Sequence, residues 1–224
     1  MSITPTQAAV ATLNSGADPV TVAFGSNVTS GNLIEVSICI QAATRTVDGV
    51  TDTLGNTYTA SMPIQIVGTT TSYRFYTVSA SSGANTVSVN LSGVSSTNVI
   101  ITEWTSSTGW PANPVDAVSV TVSSTSAHPQ ATSLSTAQAE ELIIAWQGFS
   151  NTAQLTSSID ISATQDYPNP DSSIKPKHFY LVTSSSGAYQ MGFVTPASAL
   201  WWMDAVAYKN VATASNNRRV IMVS

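Results

Sequence analysis

Glu35, Glu103 and Asp204 are the carboxylates that fall in strand-like stretches of this sequence. Two carboxylates about 5–10 Å apart across a cleft are the machinery of glycoside hydrolysis. Glu103, in VIITEWT, shares a strand face with Val99 and Ile101 and so is expected to point inward. Burial there would raise its pKa and suit it to donate a proton. No alternating Glu-x-Asp-x-Glu run accompanies it, and a lone inward carboxylate is explained more simply as an acceptor for turn amides. His128 and His178 lie fifty residues apart, neither with a His, Cys or acidic partner at metal-ligand spacing. The chain also lacks the Gly-x-Ser-x-Gly elbow of a nucleophilic serine, so both histidines read as surface residues.

The other chemistry-bearing residues have structural readings of equal or greater weight. Cys39 is the only cysteine, which excludes an internal disulfide, and within LIEVSICIQ it reads as a small buried hydrophobe. Asp48 and Asp52 in VDGVTDTLGN suggest Ca²⁺, but calcium takes about six or more oxygens, and two carboxylates beside a Gly-Asn turn suit turn formation better. Neither a metal nor a cofactor is expected. Trp104, Trp110, Trp146, Trp201 and Trp202 offer material for a sugar-stacking platform, although tryptophan in a sandwich is more often core. Trp201 and Trp202 are adjacent and face opposite sides of their strand, so one of them is expected to be exposed or at an interface. Trp110, beside Pro111 in a loop, is a second exposed candidate; Trp110 and Trp202 are therefore the candidate ligand-binding residues. Asn27-Val-Thr and Asn90-Leu-Ser fit the glycosylation sequon and read as chance matches.

The elements that would position these residues are strands. Ile34, Val36, Ile38 and Ile40 alternate with Glu35, Ser37, Cys39 and Gln41, and Val87, Val89 and Leu91 alternate with Ser88, Asn90 and Ser92. Val118, Val120 and Val122 alternate likewise with serine and threonine. This period of two predicts strands with one face on a core and one toward water. Further strands are predicted near 20–24, 58–62, 73–79, 98–105, 142–148, 177–184, 188–195 and 200–209, separated by glycine and asparagine turns. STAQAEE at 135–141 is the one helical hint, and 167–177, with three prolines, reads as a surface loop. No internal repeat stands out. The fold class is thus all-β, an antiparallel β-sandwich of jelly-roll type, with residues 1–210 as a single domain. Residues 211–224 form a C-terminal extension ending in NNRRVIMVS, an edge or inter-subunit strand in which Arg218, Val220 and Met222 are the candidate assembly contacts.

Composition narrows the partners. Charged residues make up only 8% of 224 residues while apolar ones make up 42%, so the polar surface is built from Ser, Thr, Asn and Gln. With a net charge of −5 and seven scattered cations, neither nucleic acid nor an anionic membrane is an expected partner. MSITPTQAAV has no basic or apolar leader pattern, and no window is long and apolar enough for a span, so folding in a cytoplasm is expected.

Several stretches together resemble a β-sandwich domain that recurs in tailed-phage virion proteins and in some secreted bacterial proteins. They include VTVAFGSNVTSGNLIEVSI (20–38), VDGVTDTLGNTYTAS (47–61), RFYTVSASSGANTVSVNLSG (74–93) and IITEWTSSTGWPANPVDAVSV (100–120). STAQAEELIIAWQGF (135–149), SSSGAYQMGFV (184–194) and WWMDAVAYKN (201–210) complete the set. The resemblance carries no catalytic residues. It implies a non-enzymatic head-decoration or tail-accessory protein, made in the host cytoplasm, located in the virion and assembling with itself or with other virion proteins. Two rival readings follow from the residues: a carbohydrate-binding or adhesin module using Trp110 and Trp202, and a concanavalin-like glycosidase using Glu103.

Overall fold

The computed structural model describes residues 3–13, 17–126, 130–149, 164–165, 177–192 and 199–212. Among them there is no helix. The strands are, in chain order, β1 (Ile3–Leu13), β2 (Val20–Ala23), β3 (Leu33–Ile40), β4 (Val47–Asp52), β5 (Thr59–Ala60), β6 (Gln65–Val67), β7 (Thr70–Val78) and β8 (Thr86–Leu91). They continue as β9 (Thr97–Ser106), β10 (Val115–Ser126), β11 (Leu134–Thr136), β12 (Leu142–Phe149), β13 (Thr164–Gln165), β14 (Lys177–Val182), β15 (Gly187–Tyr189) and β16 (Ala199–Tyr208).

Among the described residues every pairing is antiparallel, and the strands form four sheets. One inner sheet has the order β1-β9-β3-β7-β5, with β6 also on β7; the other has the order β10-β16-β12-β14-β13. The outer sheets are β2-β8-β4 and β11-β15. The apolar clusters define how these layers stack. Val20, Val22, Val87 and Val89 of the first outer sheet pack on Ile34, Val36, Ile38 and Ile40 of β3. The opposite face of that inner sheet brings Leu33, Tyr76 and Trp104 against Leu142, Ile144, Val206 and Tyr208 of the second inner sheet. Ile143, Ala145, Met203 and Ala205 then face Leu134 and the second outer sheet. The antiparallel all-β architecture expected from the sequence is therefore present as a stack of four layers.

That stacking corrects several expectations. β3 is not half-exposed: all eight of its residues are buried, because the phase carrying Glu35, Ser37 and Cys39 meets the second inner sheet rather than water. On β8, which lies in an outer sheet, the predicted alternation holds, with Val87, Val89 and Leu91 buried between half-buried neighbours. β10 reverses at one point, where Val118 is exposed and Ser119 buried. A bulge between Val115 and Ala117 shifts the strand's phase by one residue, and a shift of one residue exchanges its faces. Residues 135–141 form β11 and a turn rather than a helix, and Glu140 takes a left-handed φ of 59° there.

Both adjacent tryptophans are buried. They do face opposite sides of β16, Trp201 toward the outer sheet and Trp202 toward the inner interface, and each side is covered. Trp202 fits only because Gly148 lies opposite it on β12; a Cβ at residue 148 would sit 2.5 Å from the indole ring. Gly148→Ala should therefore destabilise the protein by about 1–3 kcal/mol through overpacking, measured by denaturant unfolding. A shift of the tryptophan emission to longer wavelength should accompany it as Trp202 is displaced.

Candidate functional site

The largest assembly of ionisable side chains among the described residues lies between the two inner sheets. β3 supplies Glu35 and Ser37, β7 supplies Ser72 and Arg74, β14 supplies His178 and β16 supplies Asp204. Register places Arg74 beside Ser37, and Glu35 one step along the same face. The Arg74 guanidinium donates from Nε to Glu35 Oε1 at 2.9 Å, and its Nη2 lies 2.8 Å from the same oxygen. Nη1 donates across the interface to Asp204 Oδ1 and to the Ile144 carbonyl, both at 3.0 Å. Ser37 donates to Glu35 at 2.7 Å, Ser72 donates to Asp204 at 3.2 Å, and His178 Nε2 stands 3.4 Å from Glu35 Oε2. All four ionisable side chains are sealed from solvent.

The two carboxyls respond differently to this burial. Burial by itself raises Glu35, but Arg74, His178 and Ser37 outweigh it and hold the carboxyl below its ordinary value. At Asp204 burial prevails over Arg74 and Ser72, and the carboxyl is raised. For Arg74, burial is outweighed by Glu35 and Asp204, so the guanidinium stays charged. Cys39 is buried in the same layer, and burial reinforced by Asp204 pushes its thiol well up, in keeping with a small hydrophobe.

The remaining sequence candidates are dispersed. Glu103 projects from the opposite face of the first inner sheet, where it accepts from Gln7 Nε2 at 2.6 Å, Asn32 Nδ2 at 2.7 Å and the Thr29 amide at 2.8 Å. Glu35 and Glu103 are thus divided by the sheet that carries them and do not flank a common cleft. His178 is buried, not at the surface, because β14 lies in an inner sheet. Asp52 accepts from the Leu54 and Asn56 amides, the Asn56 and Asn85 side chains and the Tyr58 hydroxyl, so protein donors fill its carboxylate. Asp48 accepts from Thr46. Trp110 is buried rather than exposed: its indole donates to the Trp104 carbonyl at 3.1 Å and packs with Met62 and Tyr208. Neither Trp110 nor Trp202 presents a ring face to solvent. His128, Arg218, Val220 and Met222 lie outside the described residues.

Sequence reasoning missed Arg74, the one basic residue of the cluster. Its signal was an arginine inside an otherwise uncharged strand, TTSYRFYTV, where a long charged side chain needs a partner. A polar recess of about 450 Å³ does open elsewhere, lined by Thr108, Gln138, Glu140, Ser184 and Asn210, and it contains none of the residues singled out from the sequence.

Fold and cluster together define an antiparallel β protein whose charged groups tie sheets to one another. Compared with family models, curated proteins and solved structures, the chain matches none.

Removing one member of the cluster strands the others. Arg74→Met should cost about 3–5 kcal/mol, because Glu35 then remains charged and buried without its partner. The triple variant Glu35→Gln, Arg74→Met, Asp204→Asn should recover most of that loss in chemical denaturation, since no buried charge is left over. The pH dependence follows from the two carboxyls. The raised Asp204 contributes stability that is full below the ordinary carboxylate value and is lost as pH rises through its elevated pKa. Glu35 contributes in the opposite sense: its stability is present above the ordinary value and is lost as pH falls through the depressed one. Asp204→Asn, neutral throughout, should therefore gain on the wild type in thermal melts as pH is raised from about 4 to about 8.

Proposed function

We propose that this chain is a non-enzymatic structural protein of a tailed-phage virion, an exposed head-decoration or tail-accessory β protein that assembles with itself or with the particle. The observation that carries this reading is the disposition of its ionisable groups. Glu35, Arg74, Asp204 and His178 are sealed between sheets, and Glu103 and Asp52 hold turns. Side chains placed this way serve rigidity rather than turnover. A surface dominated by Ser, Thr and Asn and the stretches that resemble virion β-sandwich domains favour the same role.

The finer fold reading is a jelly roll. β1 lies next to β9, β2 next to β8 and β3 next to β7, the nested pairing obtained when one long hairpin is wound around a core. The carbohydrate-binding alternative loses support, since Trp110 and Trp202 are both buried.

Mass spectrometry and immunogold labelling of density-purified particles from the strain that encodes the chain test the proposal. Recovery at a fixed copy number per particle, with label on the outer surface, is the expected result. Complete particles lacking the chain would refute it.

A further inference from the structure

We infer that the chain is two copies of one β-sandwich unit joined end to end, and that the face buried between them is the unit's own dimerisation surface. The partner that face fits is a second copy of the same unit. This inference does not depend on the virion reading.

The two inner sheets have the same strand order once β1, β9, β3, β7 and β5 are matched with β10, β16, β12, β14 and β13. The registers agree residue by residue between the central strands β9, β3 and β7 and their matches β16, β12 and β14; on the edge strand β10 a second bulge, between Ser119 and Val122, has no counterpart on β1. Leu33 pairs with Val78 and Trp104, and Leu142 pairs with Val182 and Tyr208. Thr59 pairs with Tyr76, and Thr164 with Tyr180. The bulge between Pro5 and Gln7 on β1 recurs between Val115 and Ala117 on β10, opposite the matching residues of β9 and β16. Gly31 donates its amide to Ser79 and Ser79 to Asn32; Glu140 donates to Thr183 and Thr183 to Glu141. Gly83 and Gly187 have φ of 151° and 154° at the same point of the following turn. In the sequence the match surfaces as FYTVSASSGA (75–84) against FYLVTSSSGA (179–188), identical at seven of ten positions.

The contacts between the halves are reciprocal, as a two-fold interface requires. Tyr76 meets Tyr208 edge-on at 6.0 Å, and the matching pair, Tyr180 and Trp104, does the same at 4.7 Å. Arg74 bonds residue 144 of the other half, and its counterpart His178 contacts residue 35, the counterpart of 144. Facing a second copy of the first half, each Arg74 would meet the other's Glu35, giving two cations and two carboxylates in a neutral cluster. The face is thus complementary to itself in charge as well as in shape.

Rewriting the second half with the first half's residues tests this in the full chain. Ile144→Glu alone buries an extra carboxylate and should melt well below wild type. Ile144→Glu combined with His178→Arg and Asp204→Ile rebuilds the symmetric cluster, and should melt as one transition about 10 °C or more above the single variant. A triple variant no more stable than Ile144→Glu would overturn the symmetry. For the second copy, a protease site is inserted between the exposed Ala112 and Asn113, and the folded protein is cut, unfolded, refolded and read by native mass spectrometry. Pairs of two N-terminal fragments should appear beside mixed pairs and vanish with Tyr76→Asp. If only mixed pairs form, or if like pairs survive Tyr76→Asp, the assigned face is not a dimerisation surface.

Discussion

The Arg74 guanidinium, held between Glu35 of its own sheet and Asp204 of the facing one, is the interaction on which the arrangement of layers depends. Burying charge is expensive, and attraction within the pair repays the desolvation only when geometry and hydrogen bonding are close to complete. Here the guanidinium meets two carboxyls and a backbone carbonyl, and serines from β3 and β7 serve the carboxyls in turn. Only one placement of the inner sheets satisfies all of these at once. A slip of one residue would turn Glu35 toward the apolar cluster of the first outer sheet and leave Arg74 among aromatic side chains.

The driving force for closing the interface comes from elsewhere. Tyr76, Tyr208, Trp104 and Tyr180 are large and apolar, and edge-on aromatic pairs contribute about 0.5–1.5 kcal/mol each beyond the area they bury. Such contacts tolerate small displacements, whereas the ionic cluster does not. Aromatic burial therefore brings the sheets together and the charged groups fix their register, a division of labour that also explains why so few charged residues suffice.

Strands with strong alternation were legible in the sequence, as β3 and β8 illustrate, because a period of two in Val, Ile and Leu reports a pleated surface directly. What lay on the other phase was not. Glu35, Ser37, Arg74 and His178 have the composition of a solvent-facing strand, and nothing in their spacing distinguishes water from a second polar face. The same blindness covered Trp202, whose opposite orientation to Trp201 was readable while the layer above it was not. β4, VDGVTD, has too few apolar residues to register, and β1, ITPTQAAVATL, has no clean alternation to follow. The repeat escaped notice for a related reason: backbone register is shared by the halves, but side chains facing the interface have diverged wherever the partner changed.

The turn before β3 and β12 shows how that divergence is constrained. In the first half Glu103, on the neighbouring strand, accepts from the Thr29 amide and from Asn32. In the second half the residue matching Glu103 is Ala207, too short to reach the turn, and the residue matching Asn32 is Glu141. Glu141 Oε1 accepts from the Gln138 amide at 2.9 Å, and Gln138 is the counterpart of Thr29. The carboxylate has moved from the neighbouring strand to the end of the turn itself, while its hydrogen bond to the turn amide has stayed. An intramolecular hydrogen bond of this kind contributes about 0.5–1.5 kcal/mol, and each half obtains it by its own route. What the two halves share at this position is an acceptor for the turn amide, not the residue that carries it. The same logic governs the interface, where an arginine and a histidine occupy equivalent positions and each meets an acceptor across the two-fold.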